Sequence, residues 1–516
     1  MEFQKIKLHR SEKNRAAVTQ ITLDDDYNVP DYRQDIVKVI KERGELRFDE
    51  VKAMEGAAWI KGSLVFKVLY RSDKQEGKIS CLRGEIPFQE RLNMSEYDAV
   101  HATGDMEDLT IGVINSRKLN VRAVIVLTAS SEKEVDEELT CELSDGSSYE
   151  QNIVEKEALK LLVVRRDICR QKSEAVLPSS KPNIREILWQ SMQLRNVESR
   201  LVEGKIRLSG EILVSILYND EEEGEHLSWY ETTVPLDAQA ECGVMEDDCI
   251  WQVQMVPLTM ELEVKPDYDG EERILVMELA LDTHIRIWKE EKIRLLTDLY
   301  SLQKEVKPVF RECPLERLLV KNAAKCRMTE QMELKEDKEK VLQICSCEGK
   351  VLLERQEIKP DGVLAEGTVE VNILYITPDD HMPVGAVQEI YPFSQLVEIP
   401  EMSAQAKVEL DASLEQLSAV MLDQEHVEIR AAVRLDLIAF VQEVIQNIEE
   451  ATESEPDLEM LRNRPGLVGY IAKAGDDLWT IAKENHTTIQ NIMETNHRKS
   501  EVLLAGEKVL IVKQVG

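Results

Sequence analysis

The 516 residues exceed what one ordinary hydrophobic core organises, and two to four domains are expected. A hydrophobic content of 43 % is enough to fill such cores. The formal net charge of -34 argues against nucleic acid and against an acidic membrane surface as partners, because phosphate binding needs a basic face.

The chain opens with "MEFQKIKLHR", which has no apolar run that could act as a secretory segment. No window of about eighteen apolar residues occurs further along, and we expect no transmembrane segment. Nine scattered cysteines lack the density of a secreted disulfide scaffold, which favours reduced thiols in a cytosolic compartment.

Three apolar runs can be laid over one another: "IKGSLVFKVLY" (60–70), "LSGEILVSILY" (208–218) and "AEGTVEVNILY" (365–375). Each run has a glycine eight residues before a tyrosine, and a proline follows seventeen residues after that tyrosine. The repeat landmarks are Gly62, Tyr70, Pro87, Gly210, Tyr218, Pro235, Gly367, Tyr375 and Pro392. The copies are offset by 148 and 157 residues, and each unit is therefore the size of a domain.

Alternating apolar and polar positions in these runs predict half-buried strands. The glycine then marks a strand entry or a bulge, and the proline fits an edge strand or a strand beginning. The tyrosines could be a repeated ligand contact, but their position at the end of an apolar strand favours a structural role. Short apolar runs at 35–40, 183–188 and 340–345 fit either helices or strands.

The predicted fold is mainly β, with three sandwich-like or barrel-like repeat domains. Polar segments suggest the boundaries: repeat 1 at 1–160, repeat 2 at 161–305, repeat 3 at 306–446, an acidic linker at 447–466 and a terminal domain at 467–516. Within repeat 1, the acidic segment from Ser131 to Asn152 is expected to be a charged loop or hairpin.

The terminal domain contains "YIAKAGDDLWTIAKENHTTIQNIMETN" followed by "LLAGEKVLIV". The pattern predicts a strand, a turn, a helix beginning near Leu478, a second helix ending at Asn496 and a final strand. Asp476 and Asp477 can cap the first helix, and Thr487 or Thr488 can cap the second. This segment resembles a LysM domain, which implies a small α+β fold of βααβ order.

LysM domains bind N-acetylglucosamine-containing glycans in a shallow groove, and the resemblance implies such a site here. Two residues depart from the family pattern, since Ala474 replaces a common proline and Asp477 replaces a usual threonine. Trp479 can belong to the core or act as an interface hot spot. The candidate partner- or glycan-binding residues are Lys473, Gly475, Asp476, Asp477, Leu478, Trp479, Leu504 and Ala505.

Signals for other chemistry are weak. Cys345 and Cys347 form a C-x-C pair without a second pair or a suitably spaced histidine, which argues against a metal site. Neither H-E-x-x-H nor G-x-S-x-G occurs. We therefore predict no catalytic residues, no metal and no cofactor, and a protein that is not an enzyme.

Three Gly/Tyr/Pro units followed by one LysM domain resemble the SipL-type spore-coat morphogenetic proteins, whose repeated units are called SPOCS. The resemblance implies a protein of the mother-cell cytoplasm that lies at the forespore surface. It would join the coat-basement ATPase, of the stage IV sporulation protein A type, and other coat proteins, with the LysM domain as a protein-docking module. The alternative is a peptidoglycan-binding protein of the cell wall or spore cortex.

Overall fold

The computed structural model describes residues 1–13, 17–72, 77–94, 100–145, 148–221, 226–246, 248–334, 340–400, 402–403, 405–456 and 465–513. Nearly all regular structure in these residues is β-strand, and two short helices lie near the C-terminus. Neither of these helices is long and apolar enough to cross a membrane.

Each repeat contributes six strands. Those of unit 1 are β2 (Ala17–Asn28), β3 (Lys38–Met54), β4 (Ala57–Arg71), β5 (Ile79–Asn93), β6 (His101–Asn115) and β7 (Lys118–Ser130). Those of unit 2 are β9 (Glu150–Val176), β10 (Ile184–Val202), β11 (Lys205–Asp220), β12 (Leu227–Glu241), β13 (Cys249–Pro266) and β14 (Glu272–Tyr300). Those of unit 3 are β15 (Glu305–Glu333), β16 (Gln343–Lys359), β17 (Gly362–Ile376), β18 (Val384–Glu398), β19 (Ala406–Met421) and β20 (His426–Ser454).

Two antiparallel three-stranded sheets form each unit. The second, third and fourth strands make a meander sheet, in the orders β3-β4-β5, β10-β11-β12 and β16-β17-β18. The first strand pairs with the last, and the fifth completes a closing sheet, in the orders β2-β7-β6, β9-β14-β13 and β15-β20-β19. Apolar side chains from both sheets fill one core per unit. The prediction of a mainly β fold with three repeat domains is confirmed.

The glycine landmarks lie where the central strand of each meander sheet meets a bulge in its neighbour. A Cβ at Gly367 would lie 2.2 Å from the Leu352 carbonyl oxygen and 2.9 Å from the Phe393 ring. Phe393 directly follows Pro392 and pairs with Gly367, and the proline lies on an edge strand that tolerates its missing N–H. In units 1 and 3 the glycine and the residue after the proline therefore mark one close backbone approach covered by a phenylalanine ring.

Replacing Gly367 by alanine is expected to lower the free energy of unfolding by about 1–3 kcal/mol, because the new methyl group would overlap a backbone oxygen that cannot move independently. Urea unfolding measures the change. Gly112→Ala is the matched control, since Gly112 also lies in a strand but has nothing within 4 Å of the added Cβ. Equal stability of the two variants would contradict this account.

The tyrosine landmarks are among the largest fully buried side chains, and each lies in the core of its own unit. The Tyr70 hydroxyl donates to the Gln34 carbonyl at 3.1 Å, and the Tyr218 hydroxyl donates to the Pro182 carbonyl at 3.2 Å. In units 1 and 2 these bonds attach the segment before the meander sheet to its central strand.

The long strands continue beyond their sandwiches as two-stranded arms. In units 2 and 3 the arms are extensions of β9 with β14 and of β15 with β20. In unit 1 the arm is a separate pair, β1 (Phe3–Lys13) with β8 (Glu132–Leu143). Strand β8 occupies the acidic segment predicted as a loop or hairpin. A strand can be this acidic because only Leu139, Thr140 and Leu143 of its 12 residues are buried.

The predicted boundaries at 160 and 446 both fall inside strands, β9 and β20. The proposed linker therefore begins as the end of β20, which runs through Ser454. The predicted linker boundary was placed by polar composition. The arm strands are also polar, because many of their residues are exposed, so their composition resembles that of a linker. Residues 457–464 of that linker lie outside the described part of the chain.

The three arms share one apolar core, which contains residues of β1, β8, β9, β14, β15 and β20. A buried amide ties them together: the Asn447 side chain accepts from the Thr140 N–H at 2.8 Å and donates to the carbonyls of Thr140 and Leu296. The meander sheets also meet, and Leu69, Leu217 and Leu374, each one residue before a landmark tyrosine, join one cluster. Equivalent residues thus converge, and the units surround a common axis.

Candidate functional site

The terminal domain folds as predicted. It contains β21 (Leu467–Ile471), α1 (Leu478–Glu484), α2 (Ile489–Thr495) and β22 (Lys508–Val512), and the two strands pair antiparallel. The Asp477 carboxylate caps α1 by accepting from the Thr480 N–H at 2.7 Å, and Thr488 caps α2. The helices pack on one side of the sheet through a shared apolar core.

The first loop of the candidate groove is a turn that needs a glycine. Gly475 has φ of +92°, a conformation that other residues rarely adopt. The Asp476 carboxylate accepts from the Lys473 N–H at 2.8 Å and from the Tyr470 hydroxyl at 2.7 Å. These bonds hold the pKa of Asp476 below its usual value. Its side chain therefore supports the turn from within.

The second loop lies beside the first. The Ala472 N–H donates to the Glu507 carbonyl at 2.8 Å, and the Gly506 N–H donates to the Ala472 carbonyl at 2.7 Å. Arg498 forms an ion pair with Glu507, which stabilises this loop. Leu504 and its neighbour Ala505 stay exposed at its tip.

The eight candidate residues do not all face one groove. Lys473, Gly475 and Asp477 are exposed on the first loop, and Leu504 and Ala505 on the second. Leu478 is 2 % exposed and belongs to the core, because it starts the buried stripe of α1, and its side chain offers no binding surface.

Trp479 points toward unit 2. Its indole N–H donates to the Asp298 carboxylate at 2.8 Å, and its ring packs edge-on against Tyr300 with centroids 4.9 Å apart. The Lys483 ammonium binds both oxygens of Asp298 at 2.7 Å, and the Tyr300 hydroxyl donates to the Thr487 carbonyl at 2.9 Å. We call these contacts the clasp. Trp479 is thus committed to an interface within the chain.

Sequence reasoning missed the other half of the clasp. Asp298 and Tyr300 lie at the end of the long strand β14, far from Trp479 in the chain. Burial, together with the charges of Glu150 and Asp298, raises the pKa of Tyr300, so that its hydroxyl remains a hydrogen-bond donor. One sequence contains no signal that pairs these positions.

Beyond the clasp, the terminal domain exposes an unusual number of apolar side chains. Leu467, Ile471 and Leu510 lie on the sheet face away from the helices, and Val502 and Leu504 lie in the second loop, with exposed fractions between 42 % and 71 %. This apolar surface borders the candidate groove and is well suited to contact another macromolecule.

Comparisons with known proteins agree with the architecture. The SipL SPOCS domain model matches residues 35–114, 183–265 and 340–422, and the LysM domain model matches residues 470–512. The chain therefore contains three SPOCS domains of the SipL type and one C-terminal LysM domain. Each SPOCS match spans the meander sheet and the fifth strand of a unit, leaving the first and last strands outside. This domain composition fits a sporulation-related protein, and SPOCS and LysM domains are binding domains.

No curated protein matches this chain. Among solved structures, the ferric yersiniabactin uptake receptor FyuA from Yersinia pestis is similar at 9 % identity. That match covers 86 % of this chain and 81 % of that chain, with a TM-score of 0.10, which is too low to inform fold or function.

Replacing Asp298 by alanine is expected to release the LysM domain from unit 2, because it removes the acceptor of both Trp479 and Lys483. The expected cost of the lost charge-assisted bonds is about 1–3 kcal/mol. Hydrogen exchange should become faster in α1 and at the end of β14, and stay unchanged in the sandwich cores. Asp269→Ala, in an exposed turn of the same unit, is the control; unchanged exchange in α1 of the Asp298 variant would refute the clasp.

Proposed function

We propose that this protein is a non-enzymatic scaffold in spore-coat assembly. It acts in the mother-cell cytoplasm at the forespore surface, where it links the coat-basement ATPase and other coat proteins. The observation that carries the proposal is the order of three SPOCS domains and one LysM domain in a single chain. The interlocked units provide a rigid body on which partners can be arranged.

The LysM domain is proposed as the docking module for the ATPase. Its exposed apolar surface supports a protein ligand, since protein interfaces centre on apolar side chains ringed by polar ones. The clasp supports this role in a second way, because it orients the domain with Trp479 against unit 2 and leaves Leu504 and Ile471 exposed. Docking would then occur at a defined position on the scaffold.

Capture of the purified ATPase by the full-length chain tests the docking role. Leu504→Asp is expected to weaken capture by about tenfold or more, because it places a charge in the proposed interface. Ile390→Asp is the matched control, since Ile390 is similarly exposed but lies on β18 of unit 3. Capture that survives Leu504→Asp, or that falls equally with Ile390→Asp, would argue against this surface.

Glycan binding is a second candidate, favoured by the intact turn at Gly475 and the adjoining exposed loop at Leu504. It predicts that the full-length chain sediments with purified peptidoglycan and is released by chitin oligosaccharides. A fluorescent fusion separates the two candidates in cells. A ring around the developing spore supports the scaffold, whereas a septal or wall pattern supports the glycan-binding alternative.

A further inference from the structure

A cavity of about 250 Å³ lies at the seam between units 2 and 3. Unit 2 contributes residues of β10, β11 and β12, and unit 3 contributes residues of β16 and β19. Its polar and aromatic lining consists of Arg195, Trp229, Glu231, Cys345, Ser346, Cys347 and Ser418. None of these residues belongs to the LysM surface.

Two polar atoms of this lining are buried and have no hydrogen-bond partner in the described part of the chain: Arg195 Nε and Ser346 Oγ. The Ser346 residue is only 5 % exposed. Leaving buried polar atoms unpaired is costly, and native proteins rarely do it without a reason such as a bound ligand or ordered water.

Arg195 can be compared with the residue at the same position of unit 1. The equivalent residue of unit 1, 148 positions earlier, is Arg47, whose guanidinium pairs with Asp49 and Glu85. The positions equivalent to those two acids in unit 2 are Val197 and Thr233. The arginine is thus present in both units, but its carboxylate partners are present only in unit 1.

Other acids do not take their place. The Arg195 side chain donates a long bond of 3.4 Å to the Gln193 amide oxygen, and no ion pair joins it to a carboxylate among the described residues. Glu211 pairs with Arg195 in register but its carboxylate contacts Asn196 instead. Glu231 lines the same cavity but forms no ion pair with Arg195, and burial raises the pKa of its carboxyl group.

The thiols beside the cavity do not supply negative charge either. Burial raises the pKa of Cys345 and of Cys347 to about 12, and both are neutral at physiological pH. Lys181, over the Trp229 ring at 4.6 Å, adds positive potential nearby. Arg195 and Lys181 thus bring positive charge to the cavity, and among the described residues no carboxylate forms an ion pair with the Arg195 guanidinium.

We propose that this cavity binds a small carboxylate. The planar guanidinium of Arg195 matches a carboxylate, the Ser346 hydroxyl supplies a further donor, and Trp229 with Leu213 and Leu417 forms apolar walls for a short carbon chain. A singly charged carboxylate suits the site better than a doubly charged phosphate, because any negative charge on Glu231, which lines the same cavity, repels the phosphate more strongly. Carboxylate binding in this cavity does not depend on docking by the LysM domain, since no LysM residue lines it.

Calorimetric titration of the full-length protein with acetate, propionate and glutarate, at constant ionic strength set with chloride, tests the proposal. Saturable binding of at least one acid is expected. Arg195→Gln should weaken it by about ten- to a hundredfold, and Ser346→Ala by about three- to tenfold. Arg47→Gln is the control and should leave the affinity unchanged.

Absence of saturable binding in the wild-type chain would overturn the proposal without reference to any variant. So would equal binding by wild type and Arg195→Gln, or saturable binding of phosphate with none of the three acids. If Arg195→Gln does not fold, Ser346→Ala decides, because removing a hydroxyl with no partner should not harm folding.

Discussion

Glu348→Gln is expected to lower the free energy of unfolding by about 3–5 kcal/mol, because it removes the charge that compensates a buried cation. The Glu348 carboxylate lies at the junction of all three units. It accepts from Lys41 Nζ at 2.9 Å and Arg43 Nη1 at 3.4 Å of unit 1, and from the Trp189 indole N–H of unit 2 at 3.0 Å.

The physical reason is the buried charge that the substitution would leave behind. Lys41 is only 6 % exposed, and its ammonium also lies 5.2 Å from the Trp189 ring centroid. Burial alone would raise the pKa of Glu348, but Lys41 and Arg43 hold it below the usual value and keep the carboxylate ionised. A neutral amide keeps the shape but removes the charge that compensates Lys41.

Urea unfolding at neutral pH measures this change. Glu45→Gln is the matched control, because Glu45 also pairs with Arg43 but is 55 % exposed, and its loss should cost less than about 1 kcal/mol. A loss below about 1 kcal/mol in Glu348→Gln would mean that the three units do not depend on this junction.

Lowering the pH is the second change with a large expected effect, because it protonates two carboxylates at another seam. Glu132 of unit 1 accepts from His284 Nε2 of unit 2 at 2.9 Å. Glu409 of unit 3 accepts from Arg286 of unit 2 at 3.0 Å and from Lys13 of unit 1 at 2.9 Å. One network of charges thus joins all three units.

Burial by itself would raise the pKa of both carboxyl groups. For Glu132 the hydrogen bonds from His284 and Ser11 override burial, and for Glu409 those from Arg286 and Lys13 do, so that both pKa values are about 2 against a usual 4.5. A carboxyl whose folded pKa is depressed stabilises the fold above its unfolded pKa. That stability is lost as the pH falls from about 4.5 toward 2.

Each group is expected to contribute about 2 kcal/mol at neutral pH after allowing for solvent screening. The free energy of unfolding should therefore drop steeply between pH 5 and pH 2 in the wild type, and less steeply in Glu132→Gln/Glu409→Gln. Asp411, whose pKa burial raises, opposes this trend, and Asp411→Asn separates its contribution. Glu12→Gln, on an exposed part of β1, is the control; identical slopes in the wild type and the double variant would refute the assignment.

Because the three repeats belong to one chain, equivalent positions can carry different residues where the units meet. Lys41, Trp189 and Ser346 occupy the same position in the three repeats, and all three are buried. A cation and an aromatic donor from two repeats can then bind one carboxylate, Glu348, while the third repeat places a small neutral residue at this position instead of another cation. A homotrimer of one repeat could not build this arrangement. The same divergence leaves the Ser346 hydroxyl facing the cavity between units 2 and 3.

Local pattern alone determined much of this protein. The alternation of apolar residues predicted the central strands, and the Gly/Tyr/Pro landmarks predicted three equivalent units. In the terminal domain the LysM resemblance and the capping residues Asp477 and Thr488 located both helices. These features depend on contacts close in sequence or on periodicities that a strand or helix imposes on its own residues.

The arms, the clasp and the unit junctions were decided only by the tertiary structure. Half of the residues of strand β8 are acidic, and its residues Leu139 and Thr140 are covered by the arms of the other units. Asp298 contacts Trp479 because the long strand β14 extends as far as the LysM domain. Arg47 and Arg195 occupy equivalent positions, and their environments differ in the acidic residues that lie beside them. Such contacts join residues far apart in the chain, and neither periodicity nor composition encodes which distant residue will be the neighbour.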